Sequence, residues 1–375
     1  MLKGGVIGFG RMGVTHFALL NTHPEVKLTA VCDSSSFVLS NLRRFSDARI
    51  FTDAQQMLKE VDLDFVIIAT PTAAHAESIE AAIARHLHVF VEKPFALTVA
   101  SGQQLVEKVS ATQLANQVGY FLRFNEMFEL VKQHLEAHRI GTLVHYRNEM
   151  YGRSVLRASK TSWRSKKNEG GGCLLDFASH CIDLSDYFFG PPCAVRGSLL
   201  KNVFSTNVED AAYTTLLYDS GLSGNLMVNW SDESYRRPYN RIEILGTAGK
   251  IVADRQECRL FLKEADEVGG YPKGWSITYL PERHRHVRFD IRGTEFTAQL
   301  DHFVDCIKRR QTSNVCTFAD GLRTDRVIEA IEQDAQGRSG IPVGRAMVAS
   351  RGVDGWRNRM GRILGKLGIR RGRNS

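Results

Sequence analysis

The chain has 375 residues, enough for two hydrophobic cores of ordinary size. Its 43% hydrophobic and 24% charged residues exclude a mainly disordered or collagen-like protein. The net charge of +8 is concentrated at one end, since residues 351–375 carry eight basic residues and one acid; the rest is nearly neutral and gives no ground for a nucleic-acid partner.

The first third alternates short apolar runs with helical patterns. Val6-Ile7, Leu28 to Val31, Phe65 to Ile68 and Val89 to Val91 have the length and continuity of buried parallel strands. Residues 73–86 and 98–110 repeat their apolar positions at helical spacing, so strand and helix alternate as in an open, doubly wound sheet. The pattern changes near residue 120. From about 142 to 290, Leu143 to Tyr151, Ala211 to Tyr218, Asn225 to Trp230 and Arg241 to Leu245 alternate as antiparallel strands, with a helix at about 173–189 between them. Helices are predicted at about 294–310 and 319–336. The expected division is a domain with a doubly wound parallel sheet over 1–121, an α+β domain over 122–345, and a basic tail over 346–375.

Seven cysteines, odd in number and without a Cys-x-x-Cys pair, predict reduced thiols. Lys3 is followed by Gly4, Gly5, Gly8 and Gly10, without the apolar stretch of a secretory leader, and no segment approaches the roughly 20 apolar residues of a membrane span. A cytoplasmic protein is expected.

Gly8-Phe9-Gly10-Arg11-Met12-Gly13 matches Gly-x-Gly-x-x-Gly, directly after a predicted strand and at the start of a predicted helix. Small residues there let the backbone turn tightly and approach a pyrophosphate at the helix N-terminus. The next strand ends at Asp33, where a carboxylate would bond ribose hydroxyls and repel a 2′-phosphate; a helix cap is the competing role. NAD is therefore favoured, while Arg43 and Arg44 keep NADP open. Thr70-Pro71 and Glu92-Lys93-Pro94 follow the predicted strands at Phe65 to Ile68 and Val89 to Val91, on the carboxyl edge where open α/β sheets bind ligands. Pro94 fixes the local direction, which makes Lys93 a placed ammonium rather than a solvated one.

Together, Gly8-x-Gly10-x-x-Gly13, Thr70-Pro71 with His75, and Glu92-Lys93-Pro94 resemble the oxidoreductase family of glucose-fructose oxidoreductase, inositol dehydrogenase and the rhizopine-catabolism protein, Gfo/Idh/MocA. The resemblance continues through Gly119-Tyr120, Arg123-Phe124 and Gly170-Gly171-Gly172-x-x-x-Asp176-x-x-x-His180-x-x-Asp183-Leu184. Thr72 stands where many relatives have Asn. The resemblance implies a Rossmann domain for NAD, a second domain whose mostly antiparallel sheet forms a homodimer or homotetramer interface, and a cleft for a sugar, nucleotide sugar or cyclitol.

The last motif also has a meaning of its own. Asp176, His180 and Asp183 stand at i, i+4 and i+7, which one helix face would bring together, and His is the side chain most readily poised to exchange a proton near neutral pH. An ordinary solvated stripe and a metal site with Cys173 and Cys181 are the competing readings; Cys181 points off the Asp176/His180 face and no second ligand cluster appears in the sequence. The expected mechanism has His180 take a hydroxyl proton while Lys93 bonds the reacting oxygen, the two roles being exchangeable. Asp176 would fix His180 or the substrate, Asp183 would contact another hydroxyl or support the helix, and Arg123 is a further substrate candidate. A redox-assisted glycosidase and a non-catalytic sugar-sensing regulator are the alternatives. His86 and His88 flank the start of the strand at Val89 and take no functional role, and Arg283 to Arg288 alternates as an exposed charged strand, contact with an anionic or nucleotide-linked substrate being the competing role. In the tail, Trp356, Met360, Ile363, Leu364 and Leu367 fall on one side of a possible basic helix for an anionic membrane surface, against the helix cost of Gly361, Gly365 and Gly368.

Overall fold

The apolar runs of the first third form a parallel sheet. In the computed structural model, which describes residues 1–43, 45–159 and 162–337, β1 (Leu2–Ile7), α1 (Arg11–Asn21), β2 (Val26–Cys32), α2 (Ser36–Leu42), β3 (Arg49–Phe51), α3 (Ala54–Glu60), β4 (Phe65–Ile68), α4 (His75–Ala84), β5 (His88–Val91), α5 (Val99–Ser110) and β6 (Asn116–Val118) follow one another. The strand order is β3-β2-β1-β4-β5-β6 with every neighbour parallel, so the order reverses between β1 and β4. Val66, Ile67, Ile68, Val89, Phe90 and Val91 are fully buried, which is why these strands read as unbroken apolar runs.

Next come α6 (Glu126–Glu136), β7 (Leu143–Tyr151), α7 (Ser179–Phe189), β8 (Ala194–Lys201), β9 (Ala211–Leu217), β10 (Ser223–Asn229), β11 (Tyr239–Gly246), β12 (Gly249–Asp254), β13 (Glu257–Leu262), β14 (Gly274–Tyr279), α8 (Thr294–Arg309) and α9 (Phe318–Gln336). Eight strands make one sheet in the order β14-β13-β12-β11-β7-β10-β9-β8. It is antiparallel throughout except where β7 pairs with β10. Alternation puts Leu226, Val228, Ile242 and Ile244 in a core with Ile182 and Phe188 of α7.

The two sheets lie on either side of the expected boundary at 121/122, but the helices do not respect it. Phe296, Leu300, Phe303 and Val304 of α8 return to pack with Val6, Phe65 and Phe90 of the parallel sheet. Helix α9 begins with Phe318 and Leu322 in a core shared with Val89 and Leu105, and ends with Val327 and Ile331 in the core of the antiparallel sheet. Met1–Gly337 is accordingly one unit.

Two local expectations are corrected. The helix predicted from 173 opens with a wide π turn over Leu174–Ala178 before α7 begins. Arg283 to Arg288 is not a strand: Arg285 is held by Glu129 at 2.7 and 2.9 Å and Arg288 by Asp301 at 2.6 and 2.7 Å, so ion pairs to α6 and α8 replace sheet neighbours. All seven cysteines are free, with only Cys193 exposed. No helix among the described residues is long and apolar enough to cross a membrane. Arg44 and the tail over 351–375 lie outside the described residues.

Candidate active site

The three glycines of the first turn do different work. A Cβ on Gly8, whose φ is +89°, would lie 2.7 Å from the Thr70 nitrogen, and one on Gly13 would collide with the Gly8 carbonyl oxygen. These two glycines allow close packing. Gly10 has nothing within 4 Å of the position its Cβ would take. It begins α1 with no side-chain cap and no acid in the first turn, so free N–H groups and the positive helix end face open space. That cradle fits a dinucleotide pyrophosphate. Arg11 is exposed beside it, while Phe9 and Met12 turn inward and pack on the core below.

Asp33 joins β2 to this turn. Its Oδ2 accepts the Phe9 N–H at 2.6 Å and its Oδ1 the Ser35 N–H at 2.8 Å; the helix-cap role belongs to Ser35. The carboxylate is thus fixed at the edge of the cradle. Arg43 sits just past the end of α2.

Behind the cradle, two histidines brace the loops after β4 and β5. The buried His75 ring spans them, with Nδ1 at 3.0 Å from the Pro94 carbonyl and Nε2 at 3.0 Å from the Thr70 carbonyl. Burial pushes its pKa down despite these carbonyl bonds. Glu92, although buried, is held below the usual carboxylate range because His16 Nε2 meets its Oε1 at 2.6 Å; its Oε2 accepts the Lys93 N–H at 3.3 Å. His75 and Glu92 therefore support the cofactor edge from beneath, whereas Pro71 is exposed on it.

Lys93 reaches across to the start of the second domain's helix. Its Nζ donates to Asp176 Oδ1 at 2.6 Å and to the Asp176 carbonyl at 2.9 Å. Arg164 Nε donates to Asp176 Oδ2 at 3.0 Å. Burial works against ionisation of Asp176, but the two cations outweigh it and hold the carboxyl far below its ordinary value. Glycines permit the approach: a Cβ on Gly170 would lie 2.6 Å from Thr72 Oγ1, and one on Gly172 would strike Glu209, whose Oε1 accepts the Leu174 N–H at 2.8 Å.

His180 completes the group. Its ring meets Phe121 edge-on at 5.1 Å and Tyr120 at 6.0 Å, and its buried Nδ1 has no partner among the described residues. Burial first, then the charge of Lys93, push its pKa well below the ordinary imidazole value, so the ring is neutral near pH 7.

Asp183 does not join them. Its carboxylate is fully buried and takes Arg123 Nε at 3.0 and 3.1 Å, while Arg123 also reaches Asp186 at 3.2 Å and Asp320 at 3.1 Å. Burial, with Asp186 and Asp320 nearby, pushes Asp183 up to about 7 even against Arg123. Of the two roles expected for Asp183, this geometry is that of helix support, and Arg123 likewise spends its donors inside the protein. Sequence reasoning missed Arg164 and His16. Arg164 sits in a connection without periodicity, where only its place beside Trp163 ahead of the three glycines stands out; His16 is one polar position on the buried side of α1.

Hydride chemistry on a dinucleotide calls for a phosphate cradle on the carboxyl edge of a doubly wound sheet and a proton acceptor, and this molecule has an open cradle at Gly10 and, among the described residues, an unpartnered imidazole at His180. It is in the class of NAD-binding oxidoreductases. Residues 2–120 match the model of the "Oxidoreductase family, NAD-binding Rossmann fold" and residues 128–252 that of the "GFO/IDH/MocA C-terminal domain", so the chain belongs to the Gfo/Idh/MocA family. It is similar to NAD(+)-dependent scyllo-inositol 2-dehydrogenase of Bacillus subtilis (strain 168), 27% identical with 91% of this chain and 96% of the relative covered. Levoglucosan dehydrogenase of Pseudarthrobacter phenanthrenivorans is 26% identical, with 91% and 98% covered. A solved structure of a levoglucosan dehydrogenase in complex with NADH has the same fold, with a TM-score of 0.81 at 23% identity over 90% of this chain and 97% of that one.

Proposed function

We propose that the chain is a dehydrogenase that oxidises a CH–OH group of a sugar or cyclitol with NAD. The bound nicotinamide supplies the hydride acceptor. His180, neutral and free of any ring-bonded carboxylate among the described residues, accepts the hydroxyl proton. Lys93 Nζ has three donors, two of which are engaged by Asp176, and the third is left for the reacting oxygen as negative charge develops there. Asp176 thus positions Lys93 rather than His180. The observation that carries this reading is that paired ammonium beside an unpaired neutral imidazole. Asp33, bonded to the cradle, favours NAD over NADP.

The test is a screen of sugars, nucleotide sugars and cyclitols with NAD and NADP, read as reduced-nicotinamide absorbance. Stoichiometric NADH formation supports the reading. Hydrolysis without net NADH would instead mark a redox-assisted glycosidase, and sugar binding without turnover a sensor. A homodimer or homotetramer is expected through the outer face of the eight-stranded sheet, where Trp275, Ile277 and Tyr279 are exposed; a monomer in analytical ultracentrifugation would remove that expectation.

A further inference from the structure

Between Gly152 and Gly170 the chain carries six Lys and Arg and one Glu, although the first 350 residues are close to neutral overall. This connection leads from β7 back to the helix of Asp176 and His180, and its part over 162–172 lies against the site. The Gly172 N–H donates to the Arg164 carbonyl at 3.1 Å, and Gly170 abuts Thr72 of the cofactor edge.

Within it, Arg164 is the built feature. Its Nε bonds Asp176 at 3.0 Å and its guanidinium lies over the Trp163 ring, 4.6 Å from the centroid. Its two terminal nitrogens have no acceptor within hydrogen-bond distance among the described residues, and the side chain retains 28% exposure. Asp176 is therefore shared by two cations, Lys93 and Arg164, and one carboxylate cannot neutralise both. The nearby Arg255, over the Phe121 ring at 5.4 Å, is already paired with Glu295. Glu92, held below the usual carboxylate range, also faces Lys93, so the cationic group left without an acceptor is the terminus of Arg164, next to side chains of Lys93 and Asp176 that are only 15% and 8% exposed, where water screens charge poorly.

We infer that the substrate carries its own oxyanion, a carboxylate or a phosphate, and that Arg164 receives it through its terminal N–H groups while Trp163 holds the guanidinium plane. The substrate class is then an acidic sugar or cyclitol rather than a neutral one. This rests on the dehydrogenase reading and adds to it the group that is recognised away from the reacting carbon. The phosphates of the dinucleotide are the other source of an oxyanion, and the cradle at Gly10 already accounts for them.

The experiment uses the full-length protein with matched substrates: glucose, gluconate, glucuronate and glucose 6-phosphate, with the corresponding galactose series. Each is assayed with NAD and titrated calorimetrically into the NADH-loaded protein. An acidic member should exceed its neutral counterpart by roughly tenfold or more in kcat/KM, chiefly through KM. Arg164→Gln should cut that preference about tenfold and Arg164→Lys should keep part of it, with NADH affinity unchanged. Any fall in kcat common to all substrates reports the hold on Asp176 and cancels in the ratio. Neutral sugars used as well as acids, a preference that survives Arg164→Gln, no binding of any acid, or a loss of NADH affinity in Arg164→Gln each overturns the inference. Acid binding without NADH formation sinks the dehydrogenase reading and leaves the charge selection standing.

Discussion

Two clusters of carboxylates and cations stand within eleven residues of each other on one stretch of helix, and they serve opposite ends. At its start, Asp176 is outnumbered by Lys93 and Arg164, and the Arg164 side chain keeps 28% of its surface open to solvent. Further along, Asp183 and Asp186 join Asp320 against Arg123 and Arg323, so acids outnumber bases; Arg123 and Asp183 are closed inside the protein and Arg323 covers them from the surface side. Helical spacing alone treats Asp176 and Asp183 as equivalents. What separates them is the partner: Lys93 arrives from the end of β5, Arg123 from a buried turn ahead of α6. An arginine terminus left without an acceptor prepares a place for negative charge, whereas an acid surplus around the buried Asp183 is stable only because two guanidinium groups and residual protonation absorb it.

Breaking each cluster should therefore give different signatures. Lys93→Met is expected to lower turnover by about 10²–10⁴-fold while NADH affinity and melting temperature stay near wild type; initial rates with a fluorescence titration check this, and near-normal turnover would remove Lys93 from the chemistry. Arg123→Met should do the reverse, costing about 3–5 kcal/mol in urea unfolding because three acids are left facing one arginine, with little change in NADH affinity of the folded fraction. A smaller effect sharpens the role of His180. Because its folded-state pKa lies below the ordinary 6.5, the acid limb of kcat/KM for oxidation should fall below pH 6.5; a limb at or above that value would mean a ring held in its charged form. Smallest is Gly10→Ala, which should weaken NADH binding by roughly tenfold as the methyl enters the open cradle, at a stability cost under about 1 kcal/mol. Unchanged NADH affinity there would show that the cradle lies elsewhere.

Much of this was legible in the sequence because burial on both faces writes parallel strands as unbroken apolar runs, and one-face burial writes antiparallel strands as alternation. β3 and β6 were not read, since three residues carry no period. The return of α8 to the first sheet was hidden as well: its amphipathic pattern states that one side is buried and not against which sheet. At the site, the glycines, Asp33, Lys93, Asp176 and His180 stood out by motif. The wide turn over Leu174–Ala178 and the arrival of Arg164 did not, because both depend on how a connection without periodicity folds back onto the helix. The different fates of Asp176 and Asp183 follow from contacts that span many residues of sequence, and spacing cannot encode them.

Helix α8 places Phe303 edge-on against Phe65 and Phe90, with ring centroids 5.9 Å apart in each pair. On a ribosome, the nucleotide-binding sheet is made before its covering helix, so those two rings wait for a partner while the whole antiparallel sheet is synthesised. A nascent chain halted before residue 294 presents a bare aromatic face to chaperones and to other nascent chains. The nucleotide-binding half thus depends for its completion on a helix translated after the other sheet.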